Sequence, residues 1–94
     1  MKASKDNIVL TFDYAKNGLI IKELNGENNF QIAGKDKIFK NAQVKVQGNK
    51  LIVLSNEVKN PVAVRYAFTN TSEATLFNKE EFPASSFRTD NWDN

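Results

Sequence analysis

Histidine and cysteine are both absent from this chain, and each absence closes a chemical route. Without histidine the Ser-His-acid triad, the commonest general base and the commonest metal ligand are lost together, so catalysis by this chain alone is not expected. Without cysteine there is neither a disulfide nor a thiolate, and stability must come from packing; the compartment stays undetermined. No apolar run approaches the roughly 20 residues that a membrane helix needs, and Met1-Lys2-Ala3-Ser4-Lys5-Asp6 holds no hydrophobic signal region. A soluble chain with no export signal of its own is the expectation. Arginine is scarce, with only Arg65 and Arg88. A nucleic-acid binder gathers arginine and stacking aromatics on one face, whereas the lysines here are spaced like solvated strand positions, so no nucleic-acid partner is expected.

The net charge of +2 conceals a gradient: residues 28–59 hold six lysines against Asp36 and Glu57, and residues 73–94 hold five acids against Lys79 and Arg88. Ninety-four residues fit one domain, which buries roughly two-thirds of its unfolded surface.

The organising stretch is Asn60-Pro61-Val62-Ala63-Val64-Arg65-Tyr66-Ala67-Phe68. A proline-gated start followed by alternation predicts a core strand with Val62, Val64, Tyr66 and Phe68 on one face and Ala63, Arg65 and Ala67 on the other. Residues 7–12 alternate in the same way around Ile8, Leu10 and Phe12, and Ser4-Lys5-Asp6 reads as a turn that makes residues 1–3 part of a preceding hairpin strand. Asn17-Gly18 and Asn25-Gly26 bracket a strand over residues 19–24. Phe30 and Ile32 alternate up to Gly34, and Ile38-Phe39 follows as a short extended piece. Ala42, Val44 and Val46 alternate into Gly48-Asn49, a two-residue hairpin turn before residues 51–54. No helical periodicity is present. The fold class is therefore all-β, an antiparallel β-sandwich of about seven strands, Ig-like or jelly-roll-like, with an irregular tail over residues 70–94. That tail carries Leu76, Phe77, Phe82, Phe87 and Trp92, too many large apolar side chains for a disordered segment, so it packs against something.

Several residues invite a chemical reading. Glu80-Glu81 reads as a solvated patch rather than an acid-base pair. The acids near Asp90 and Asp93 lack calcium-loop spacing, so no metal and no cofactor are expected. Asn70-Thr71-Ser72 matches the glycosylation sequon. Arg65 can hold a carboxylate bidentately, either on a ligand or on an acid of the tail. Tyr66, Phe77 and Trp92 can stack on a sugar ring or pack in a core.

The Asn60 to Phe68 stretch, followed by Leu76-Phe77-Asn78 and by Pro83-Ala84-Ser85-Ser86-Phe87-Arg88-Thr89-Asp90, resembles the closing segment of sialate O-acetylesterases. Phe30-Gln31-Ile32-Ala33-Gly34, Ile8-Val9-Leu10-Thr11-Phe12 and Asn17-Gly18-Leu19 resemble the same family's carboxyl-terminal domain. The resemblance implies a single accessory domain over residues 1–94, one piece of a larger, exported esterase. That enzyme's SGNH-type catalytic domain, with a nucleophilic serine and an Asp-x-x-His pair, lies upstream; no catalytic residue is implied here. The domain is expected to dock on the catalytic domain through residues 70–94 and the Ala63, Arg65 and Ala67 face. The interface or ligand-contact candidates are Arg65, Tyr66, Phe77, Asn78, Pro83, Phe87 and Arg88. The alternative is a carbohydrate-binding module for sialylated or acetylated glycans, using Tyr66, Phe77, Asn78, Arg88 or Trp92; a third reading is an Ig-like spacer. Thr75, Glu81, Phe82 and Ser86 depart from the family's common Asn, Gly, Leu and Pro. If a positive φ is needed at Glu81, a chain with glutamate there is expected to turn differently.

Overall fold

The computed structural model describes residues 2–13, 17–23, 28–67, 74–84 and 86–90. Among them run ten strands and no helix: β1 (Lys2–Ala3), β2 (Asn7–Thr11), β3 (Leu19–Ile21), β4 (Phe30–Ala33), β5 (Lys40–Asn41), β6 (Gln43–Gln47), β7 (Lys50–Leu54), β8 (Ala63–Tyr66), β9 (Leu76–Asn78) and β10 (Phe87–Arg88). The sandwich expected from the alternation is present. Its strand count exceeds seven because β1, β5 and β10 are two residues long, too short to show a period.

All pairings are antiparallel. One sheet has the order β1-β2-β7-β6, the second β10-β8-β4-β5, and β3 pairs with β9 in a small third sheet. In the first sheet Ile8 lies opposite Val53 and Leu10 opposite Leu51, so four apolar side chains share one face. In the second, Phe30 lies opposite Tyr66 and Ile32 opposite Val64. These two inner faces form the core, joined by Leu19 and Leu76 from the third sheet and by Val58 and Ala84. The β6–β7 hairpin turns on Gly48 at φ 59°, a left-handed conformation that glycine takes without a Cβ clash.

Boundaries moved where backbone geometry overrode pattern. Asn60 sits at φ 53°, which delays β8 to Ala63, although the Val62 amide already donates to the Ala33 carbonyl (2.8 Å). The extended piece at Ile38-Phe39 is a loop, with the Ile38 amide bonded to the Asp36 carboxylate (3.0 Å), and the strand there is β5. Val46 is 38% exposed, so the inward alternation from Ala42 fades along β6. Lys2–Ala3 pairs with β2, as the turn at residues 4–6 predicted. Met1, Asn25-Gly26, Phe68, the sequon at residues 70–72, Ser85, Trp92 and Asp93 lie outside the described residues.

Candidate functional site

The segment over residues 74–90 is fixed by side chains more than by ladder. The Tyr66 hydroxyl accepts from the backbone amides of Thr75 and Leu76, each at 3.0 Å, and its ring stacks on Phe30 with centroids 4.5 Å apart. The Thr75 hydroxyl donates to the Asn28 carbonyl. Tyr66 is fully buried. It presents no surface to a partner or a glycan, which corrects its place among the contact candidates: its hydroxyl is a structural acceptor.

Asn78 is likewise internal. Its amide donates to the Phe82 carbonyl (3.1 Å) and its Oδ1 accepts from the Phe82 amide (2.9 Å), closing a hairpin whose loop is residues 79–81. A three-residue loop of this kind ends on a left-handed residue, and here Glu81 takes that role at φ 65°. The expectation that glutamate forces a different turn is therefore overturned: glutamate itself takes the left-handed conformation, with its side chain against Lys22. Lys22 Nζ lies 2.6 Å from the Glu81 carboxylate; this hydrogen bond, helped by the lysine's charge, holds the Glu81 carboxyl below its ordinary pKa. The same ammonium stands 5.0 Å from the centroid of the Phe77 ring, within cation–π range. Phe77 lies opposite Ile20 on β3 and bridges to Pro83, so Ile20, Phe77 and Pro83 form one row facing away from Leu76 and the core. Beside this row Phe82 is 67% exposed.

The second sheet's outer face carries a polar row. Across it Asn41, Gln31, Arg65 and Arg88 stand in register. Arg65 donates from Nε to Asp90 Oδ1 (3.1 Å) and from Nη2 to Oδ2 (2.8 Å), the bidentate geometry that suits guanidinium and carboxylate. Its Cζ lies 4.1 Å from the Phe39 ring centroid. The Asp90 bonds hold the guanidinium's pKa above its ordinary value. Of the two readings open for Arg65, the carboxylate it meets is a tail acid. Ala63 is only 1% exposed, so of the expected Ala63, Arg65 and Ala67 docking face only Ala67 is exposed. Phe87 turns inward, within 5.6 Å of Tyr66, 6.0 Å of Phe12 and 6.2 Å of Phe30 by ring centroids. Phe77, Pro83 and Arg88 remain at or near the surface. No group of three or more metal-ligating side chains occurs among the described residues.

One feature escaped sequence reasoning. A cleft of about 530 Å³ opens where the chain passes from β5 to β6, lined by Glu23, Gln31, Asn41, Gln43, Val44 and Ala67 among others. In the sequence these amides look like ordinary outward strand positions. The Asn28-Asn29 pair ahead of a strand was the signal, because Asn28 proves buried and organises the corner.

No protein-family model matches this chain, and no curated protein matches it. Among solved structures the chain is similar to a crystal structure of a novel carbohydrate acetylesterase from Xanthomonas citri, with a TM-score of 0.80 and 39% sequence identity. The match covers 98% of this chain and 22% of that one, so this chain spans about a fifth of the length of the enzyme it matches.

Proposed function

We propose that this chain is a non-catalytic accessory β-sandwich of a carbohydrate esterase, packing on a catalytic domain elsewhere in the same polypeptide and stabilising it. The observation that carries the reading is the near-complete match of this chain to 22% of a carbohydrate acetylesterase. The lack of histidine agrees with a catalytic centre located elsewhere. The docking surface in this reading is the row of Ile20, Phe77 and Pro83 with Phe82, where neighbouring apolar side chains reach the surface together and Phe82 is 67% exposed. The family resemblance supports a finer version: the parent is an exported sialate O-acetylesterase, with an SGNH-type catalytic domain that removes O-acetyl groups from sialic acids.

The test uses a full-length protein containing this chain, a version lacking it, and the chain alone. The chain alone releases no acetate from acetylated sugars. Removing it lowers the parent's melting temperature or soluble yield. Phe82→Ser leaves the isolated chain's melting unchanged, since Phe82 is mostly exposed there, and lowers that of the full-length protein. A truncated parent with full activity and unchanged melting would sink the proposal. For the finer version, acetate release from 9-O-acetylated sialic acid is compared with release from an acetylated neutral sugar.

A further inference from the structure

The corner at Ala42, where the chain leaves the second sheet for the first, is rigidly built. Asn28, 7% exposed, donates from Nδ2 to the Ala42 carbonyl (2.9 Å) and accepts at Oδ1 from the Phe30 amide (3.0 Å). The Ala42 amide in turn donates to the Phe30 carbonyl (3.0 Å). A buried carboxamide satisfied at both ends sets the distance between β4 and the corner, so the cleft beside it is formed before any ligand arrives.

The chemistry of the lining selects a ligand class. Gln31, Asn41 and Gln43 are exposed, and their side chains make no hydrogen bond to another described residue. Each carboxamide both donates and accepts, as does each hydroxyl of a sugar, so neighbouring carboxamides match vicinal hydroxyls. Val44 and Ala67 add apolar carbon for the C–H face of a ring, and the volume lies in the range of small-ligand sites. Charge narrows the class further. Glu23 is the charged residue among the described lining, and Arg65, which stands in register with Gln31, is already taken up by Asp90, so an anionic sugar would meet a like charge there. We infer that this cleft binds a neutral saccharide through Gln31, Asn41 and Gln43, and that it discriminates against sialic acid. The inference does not rest on the esterase reading, because it needs no catalytic domain.

The experiment is an amide chemical-shift titration of the 94-residue chain with lactose, diacetylchitobiose and xylobiose as neutral probes and N-acetylneuraminic acid as the anionic one. At least one neutral disaccharide, at tens of millimolar, moves resonances of residues 28–31 and 41–44; N-acetylneuraminic acid binds at least about tenfold more weakly or not at all. Gln31→Ala and Gln43→Ala each weaken the neutral sugar about fivefold, the loss of one ordinary hydrogen bond, while their unchanged spectra elsewhere show that the fold is kept. Three outcomes overturn the inference: no shift with any neutral probe, binding of N-acetylneuraminic acid as tight as theirs, or shifts centred on Phe77 or Arg88. The melting and acetate measurements on the full-length protein do not depend on these titrations, so either proposal can fail alone.

Discussion

The ladder of β2, β7 and β6 and the segment over residues 74–90 cover the same core by different means. In the ladder, five consecutive residue pairs join β2 to β7 and five join β6 to β7. Backbone groups satisfy one another, and Ile8, Leu10, Leu51 and Val53 reach the core simply by alternating. In the later segment β9 has three residues and β10 two, and side chains take over as partners. Tyr66 accepts from two amides, Asn78 from the Phe82 amide, and the Thr89 hydroxyl from the Val64 amide (2.9 Å). A ladder spreads its stabilisation over many equivalent bonds. The later segment concentrates it in a few side chains, so single substitutions should separate the two regions.

Tyr66→Phe is the strongest such test. The ring and its stacking on Phe30 survive, but two amides in a buried setting lose their acceptor, at about 1 to 3 kcal/mol each, so a loss of about 2 to 6 kcal/mol is expected. Amide exchange should accelerate first at Thr75 and Leu76, before the β2–β7 ladder opens. Lys45→Ala, on the exposed face of β6, should change stability by less than about 0.5 kcal/mol. Equal effects of the two substitutions in denaturant melts would erase the contrast.

The same contrast sets how much could be read from the sequence. Alternation exposed β2, β4, β6 and β8, and Gly48-Asn49 exposed the hairpin that brings in β7, because each signal lies within a few residues of the element it describes. Tyr66 was placed on the correct face, beside Val64, yet its hydroxyl's partners lie 9 and 10 residues further on, where no period points. The acid that meets Arg65 is 25 residues away, so the sequence favoured an acid of the tail without saying which one. The cleft required knowing that Gln31 and Asn41 are cross-strand partners and that the chain changes sheets one residue later. Periodicity reports which face a residue takes; it carries no information on which distant segment meets that face.

Arg65→Ala is the next test in size. The Asp90 side chain is 2% exposed, so removing the guanidinium withdraws both its bonds from a carboxylate that water hardly reaches. The melting temperature should fall by several degrees, with faster exchange at Thr89, whose amide donates to the Val64 carbonyl (3.0 Å). Arg65→Lys keeps the charge without the planar fork, and should recover only part of the loss. Full recovery by lysine would mean that charge alone, not bidentate geometry, secures this end of the segment.

The smallest effect has the opposite sign. Glu81 holds a left-handed conformation that glycine adopts without penalty, so Glu81→Gly removes backbone strain and also removes the pair with Lys22. That pair is exposed, at 49% and 64% for the two side chains, and exposed pairs contribute little and are screened by salt. Strain relief should therefore prevail, raising the melting temperature by one or a few degrees at neutral pH and moderate salt. The pH dependence separates the two contributions. Lys22 holds the Glu81 carboxyl below its ordinary pKa, so the pair stabilises the wild type fully above the ordinary carboxylate range. That contribution disappears as pH falls through the lowered value. Glu81→Gly has no such contribution to lose, and its advantage over the wild type should grow in acid and, at neutral pH, with added salt. A variant that melts below the wild type at neutral pH even in high salt, where the Lys22 pair is screened, would show that glutamate at this position carries no backbone strain for glycine to relieve.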